Sequence, residues 1–126
     1  MSYAKEHAEG KGWDFDNDCI VIDHQASKSH RHCTKDFAPC LTRSRCMGRG
    51  YFITAGRHRC LSDHEMARLQ GADLRYLNLD GIAAKNLRSM IGNAMSRNVL
   101  DRLMPRVLFA AGLLNRIPPD LWAVGQ

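Results

Sequence analysis

The feature that most constrains this chain is an apolar stripe near its C-terminus. Met95, Val99, Leu100, Leu103, Met104, Val107, Leu108, Ala111 and Leu114 recur at spacings of three and four, with Arg97, Asn98, Asp101, Arg102 and Arg106 between them. That period puts the apolar residues on one side of a helix and the polar ones on the other. Twenty residues in such a pattern predict a rod of ~30 Å. Pro105 removes a backbone donor and frees the Asp101 carbonyl, which predicts a kink, and Pro118-Pro119 predict the stop. A stripe this wide must be covered. Small domains bury a modest share of their surface, so the pattern implies a partner sheet outside these residues. A fragment of a larger domain, or an obligate assembly, is the expectation.

The remaining sequence divides into zones. Residues 1–18 are polar with few anchors, and a frayed N-terminus is expected there. Residues 19–59 read as short strands and turns: Cys19-Ile20-Val21-Ile22 is one β-branched run, and Tyr51-Phe52-Ile53-Thr54 is a second, bounded by Gly50 and Gly56. Residues 60–126 read as helical. Ser62 with Glu65 three positions on is the capping-box pattern, and Leu61 and Met66 occupy the hydrophobic-staple positions. Gly71 is placed to end that helix in a left-handed conformation.

Composition removes several classes. No run approaches the ~18 apolar residues of a membrane span, and the N-terminus lacks the apolar stretch of a secretory signal. An intracellular location is expected, nuclear if the source is eukaryotic. Five cysteines, an odd number without secretory context, read as reduced thiols. The net charge is +5, and its distribution says more than its size. Between residues 28 and 59 stand Lys28, Arg31, Lys35, Arg43, Arg45, Arg49, Arg57 and Arg59 against one acid, Asp36. Such a stretch suits several phosphates, with DNA as the expected partner, or a solvated basic surface.

Two segments in order carry a resemblance. Arg59-Cys60-Leu61-Ser62-Asp63-His64-Glu65-Met66-Ala67-Arg68-Leu69-Gln70-Gly71 is similar to the ninth conserved motif of cytosine-5 DNA methyltransferases. Ile91-Gly92-Asn93-Ala94-Met95-Ser96-Arg97-Asn98-Val99-Leu100 resembles the tenth, a Gly-Asn pair opening a long terminal helix. Upstream, Ala38-Pro39-Cys40-Leu41-Thr42-Arg43 resembles the stretch where that family's chain leaves its target-recognition region. Ala72 and Met90 depart from the family pattern.

The resemblance implies an α/β fold: a C-terminal fragment of a Rossmann-like methyltransferase. A strand-rich target-recognition remnant (19–59) would precede two helices (60–126) that pack on the parallel sheet of the whole enzyme. It implies Gly92, Asn93 and Ala94 beside S-adenosyl-L-methionine in the complete enzyme, at a helix N-terminus. Arg59, Glu65, Arg68 and Gln70 are implied as structural braces. Arg43 and Arg45 are the candidate phosphate contacts. The family flips cytosine out, adds a thiolate at C6 and methylates C5. That chemistry needs a Gly-rich cofactor loop, a nucleophilic Pro-Cys and a Glu-Asn-Val segment. Gly10-Lys11-Gly12, Gly48-Arg49-Gly50 and Pro39-Cys40 do not supply them: the glycine pairs lack a strand-turn-helix setting, Cys40 is followed by Leu41-Thr42, and no Glu-Asn-Val occurs. An inactive C-terminal piece is expected, with the missing N-terminal catalytic region as partner, no catalytic residue of its own, and non-specific self-association when alone. Two other readings stand beside it: a non-catalytic DNA-binding adaptor, and a Cys/His metal module drawn from His30, His32, Cys33, Cys40, Cys46, His58, Cys60 and His64. The last finds no Cys-x-x-Cys spacing.

Overall fold

The computed structural model describes residues 2–26, 33–56 and 58–122. Helix α1 (Ser2–Gly10) leads into strand β1 (Ile20–Asp23), followed by β2 (Cys33–Lys35), α2 (Arg43–Met47), β3 (Tyr51–Ile53) and β4 (Arg59–Cys60). Helices α3 (Asp63–Leu69), α4 (Ala84–Asn93) and α5 (Arg97–Ala110) complete the order, with a 3-10 turn at Leu74–Tyr76 between α3 and α4.

The four strands form one sheet in the order β2-β1-β3-β4, and every pairing is antiparallel. This overturns the expected α/β, Rossmann-like architecture: among the described residues there is no parallel pair. The reason lies in the connections. Parallel neighbours need a crossover of about a dozen residues or more, usually a helix. The β3–β4 link spans only residues 54–58, which suits a hairpin. The expectation of two helices over 60–126 is corrected as well, since α4 lies between the two that the pattern picked out.

Both faces of the sheet are covered, so β1 is buried along its whole length. Val21 and Tyr51 turn toward Leu61, Met66, Ala67, Leu74 and Ile91, which are brought by the segments from β4 onward. Ile20 and Ile22 turn the other way, onto Ala4, Ala8, Phe15 and Cys33. That second cluster explains why residues 2–10 are helical where a frayed terminus was expected. Ala4 and Ala8 are one helical turn apart, and their small side chains let α1 lie close to the sheet. Thr54 staples the two ends of this layer. Its buried hydroxyl accepts from the Ile20 amide (3.1 Å) and lies 2.8 Å from the Asp18 carbonyl, to which it donates.

Helix α3 is specified at both ends, as its sequence predicts. The Ser62 hydroxyl accepts from the Glu65 amide, and the Glu65 carboxylate accepts from the Ser62 amide. Leu61 and Met66 are both buried beside that cap. At the other end the Gly71 amide donates to Arg68 and the Ala72 amide to Ala67, the paired bonds of a Schellman closure, with Gly71 at φ +75°.

Helix α5 differs from its expectation in both length and surroundings. It runs from Arg97 to Ala110, and the same paired bonds close it: Gly112 to Phe109 and Leu113 to Leu108, with Gly112 at φ +72°. The stop is therefore this turn and not Pro118-Pro119, and Leu114 lies beyond the helix. No residue of α5 is buried. Val99, Leu103 and Val107 are 57%, 50% and 49% exposed.

Candidate functional site

The residues that carry the resemblance meet in two places. The first is a brace at the start of α3. Arg59, on β4, donates from Nη1 to Glu65 Oε2 (2.7 Å) and from Nη2 to Glu65 Oε1 (2.6 Å), a bidentate fork onto the same carboxylate that caps the helix. The paired guanidinium, reinforced by the Ser62 amide and hydroxyl, holds the Glu65 carboxyl down at about 2 against partial burial. One carboxylate thus fixes the angle between the hairpin and α3. Arg68, expected as a third brace, is exposed, and its side chain borders a groove of about 290 Å³ instead.

The second place is a junction centred on Gln70, which follows α3 and is 8% exposed. Its amide nitrogen donates to the carbonyls of Ile91 (3.3 Å) and Ala94 (3.2 Å), and its amide oxygen accepts from the Ser96 hydroxyl (2.8 Å). Its backbone carbonyl accepts the Arg97 amide at 2.8 Å. A single residue, through its side chain and its backbone carbonyl, therefore holds the C-terminal end of α4, the extended link that follows and the first turn of α5. Buried amides stay only where such partners are supplied.

The three residues expected beside a cofactor take other roles here. Gly92 lies against the backbone of the Thr42-Arg43 step: a Cβ placed on it would stand 2.5 Å from the Arg43 Cα and 2.6 Å from its nitrogen. Its hydrogen is a packing requirement. Asn93 ends α4 and does not open the terminal helix, so it caps no helix N-terminus; α5 starts from Ser96. Asn93 and Ala94 are both exposed. The Ala94 amide bonds to Ile91 and its carbonyl to Gln70. Ala94 borders a groove beside Leu69, Gln70 and Ser96, while Gly92 is committed to its contact with α2.

Cys40 borders a groove of about 450 Å³ together with Leu69, Gln70, Ala94 and Ser96. Among the described residues, no acid or base lines that groove. The backbone around it is fixed by Tyr51, which the sequence singled out only as a strand residue. Its hydroxyl donates to the Cys40 carbonyl (2.7 Å) and accepts from the Thr42 amide (3.0 Å). Burial pushes the Tyr51 phenol up.

Among the described residues of the basic stretch, Lys35, Arg45 and Arg59 are each paired with an acid. Lys35 pairs with Asp18 at 2.6 Å. Arg45 Nε lies 2.5 Å from the buried Asp23 carboxylate, as a charge contact whose N–H is not aimed along the hydrogen-bond direction. Arg43 is exposed and reaches Ser89 on α4 at 2.8 Å, and Arg49 is exposed at φ +50°. Lys28, Arg31 and Arg57 lie outside the described residues, as do His30 and His32. Among the described residues, no group of three His, Cys, Asp or Glu could hold a metal ion, and no helix is long and apolar enough to cross a membrane.

Several partners had no sequence signal, among them Arg88, whose Nε donates to Asp63 (2.9 Å) and ties α4 to α3. Fold and junction together define a small α+β unit whose polar contacts are braces. No protein-family model matches the chain, and neither the curated proteins nor the solved structures contain a match to it.

Proposed function

We propose that this chain is the C-terminal part of a cytosine-5 DNA methyltransferase, a bracing unit between target recognition and the terminal helix that performs no chemistry itself. What supports the reading is the Gln70 junction. The two segments that resemble the ninth and tenth family motifs, separated in sequence, are joined by one buried amide that bonds to Ile91, Ala94 and Ser96. The Arg59–Glu65 fork adds to it, because the resembling residues carry the contacts.

On this reading the nucleophile, the acid and the hold on S-adenosyl-L-methionine belong to an N-terminal catalytic region, the protein partner of this chain. DNA is the other partner, met through exposed arginines such as Arg43 and Arg49. The exposed row of α5 is the surface on which the catalytic region would rest. Burying each large aliphatic side chain there contributes ~1.5–3 kcal/mol to the association.

The test is transfer of labelled methyl groups to cytosine-containing DNA. The chain alone transfers none. Adding the N-terminal catalytic region of a related cytosine-5 methyltransferase restores transfer, and Gln70→Leu in this chain removes the gain. Transfer by the chain alone that Cys40→Ser abolishes would overturn the reading, as would no gain with any such partner.

One observation favours a non-catalytic DNA-binding adaptor as the second reading: the main core closes without a residue of α5. A chain ending at Ser96 that still melts cooperatively and binds DNA would favour it.

A further inference from the structure

The turn between α2 and β3 is Gly48-Arg49-Gly50, and its arginine takes the left-handed position, at φ +50°. Glycine would fill that position without steric cost. The turn is fixed on both sides. The Gly48 amide donates to the Ser44 carbonyl (3.0 Å), the Gly50 amide to that of Arg45 (2.8 Å), and the His24 amide to that of Gly50 (3.0 Å). Gln25 donates from Nε2 to the Gly48 carbonyl (3.1 Å) and lies against both glycines, so a side chain on either would displace it.

Arg49 lines a groove of about 570 Å³ with Arg59, Ser62, Asp63 and His64 among its other walls. Most polar groups of that groove already have partners. Asp63 accepts from Arg88, Arg59 donates to Glu65 and to the Cys60 carbonyl, and the Ser62 hydroxyl lies 2.8 Å from Glu65 Oε2. Arg49 and His64 differ. Both are exposed, and among the described residues their side chains hold no hydrogen bond or ion pair.

We propose that Arg49 and His64 bind a backbone phosphate of DNA in this groove, an inference that rests on DNA as a partner in the reading above. A guanidinium fork matches two phosphate oxygens, and an imidazole N–H supplies a further donor. The left-handed backbone at Arg49 has no side-chain contact within the protein to offset it, which is the pattern of a residue kept for a ligand. Two exposed donors are too few to hold a free anion against water. A strand adds such contacts along its length, and Arg43 is exposed at the start of α2.

Arg49→Gly separates the demand of the ligand from that of the fold. Glycine relieves the left-handed backbone, so the variant should melt no lower than the parent. Its affinity for a DNA duplex should fall all the same, with the slope of log K against log salt lower by ~0.9, one phosphate contact. Arg49→Gln keeps the strained backbone and should lose the same slope, and His64→Ala should weaken binding as well. In the parent, the duplex should shield Arg49 from phenylglyoxal and His64 from diethyl pyrocarbonate, as read by mass mapping. If the parent binds DNA, an unchanged slope in either Arg49 variant or a lack of shielding would overturn the groove and leave DNA as the partner. A parent that binds no DNA would overturn both. Equal shielding by inorganic phosphate or by polyglutamate would put a free anion or an acidic peptide in place of the strand and overturn the proposal.

Discussion

Gly92 shows how one hydrogen atom decides a contact. By helix propensity alone, Gly92→Ala in α4 should stabilise by ~1 kcal/mol. The added methyl, however, would stand 2.5 Å from the Arg43 Cα, and backbone cannot swing aside as a side chain does. Overpacking of this kind costs ~1–3 kcal/mol, so the packing loss outweighs the propensity gain. The expected outcome is a lower denaturant midpoint for Gly92→Ala at an unchanged slope; a raised midpoint would mean α4 stands off from α2. Glu65 gives a pH signature. Its carboxyl is held at about 2, below the ordinary 4.5, by the Arg59 fork. A depressed folded pKa contributes stability that is fully present above 4.5 and is lost as pH falls toward 2. Asp14, Asp18, Asp73 and Asp120 are also held low, so the parent loses stability with acid in any case. The specific expectation is a shallower loss between pH 4.5 and 2 for Glu65→Gln than for the parent, with the variant already weaker at neutral pH. Parallel acid profiles would show that the fork contributes nothing.

At the scale of elements, what the sequence revealed follows the range of the interaction. The ends of α3 were legible because Ser62 with Glu65, Leu61 with Met66, and Gly71 all act within one turn of the helix they bound. The face of α5 was legible and its length was not. The three-and-four spacing continues past Gly112 to Leu114, which sits on the opposite wall of a groove, so the apolar pattern outlived the helix. Helix α4 gave no signal, having no side-chain cap and Ile91 as its buried residue. The site divides in the same way. Glu65 and Gln70 were singled out as structural, but the partners of Gln70 lie 21 to 26 residues away and those of Arg43 and Arg88 lie 46 and 25 away. No local pattern encodes such pairs. The Gly-Asn step was misplaced because Asn suits both ends of a helix, and here it closes one. Gln70 also sets the element-scale prediction. Gln70→Leu leaves the Ala94 carbonyl and the Ser96 hydroxyl without the Gln70 side chain and the Ile91 carbonyl with the Ala94 amide alone, at ~1–3 kcal/mol for each group left unsatisfied and dry. Amide hydrogen exchange should quicken in the first turn of α5 while the amides of β1 keep their protection. Unchanged exchange at Arg97 to Leu100 would remove the junction from the account.

For the molecule as a whole, two surfaces make opposite demands. The exposed row of α5 formed by Val99, Leu103 and Val107 should promote association, since exposed contiguous apolar surface seeks cover. Light scattering of the purified chain should show species larger than a monomer, and Leu103→Glu with Val107→Glu should return it to a monomer with unchanged dichroism. A monomeric parent would contradict this. The basic surface, by contrast, should meet DNA weakly and in a salt-dependent way. Arg45 is committed to Asp23, so the informative pair is Arg43 and Arg49. Each phosphate contact contributes ~0.9 to the slope of log K against log salt, and changing both arginines to Gln should lower that slope by ~2. An unchanged slope would place the contact elsewhere.

The two-residue β4 and the three-residue β2 stand at the rims of the sheet. A rim that short offers too few backbone donors and acceptors for an incoming strand to template on. Self-association is therefore expected to run helix against helix, in particles that should keep their native secondary structure. They should disperse in mild detergent, leave amyloid-specific dyes dark and grow without a seeding lag.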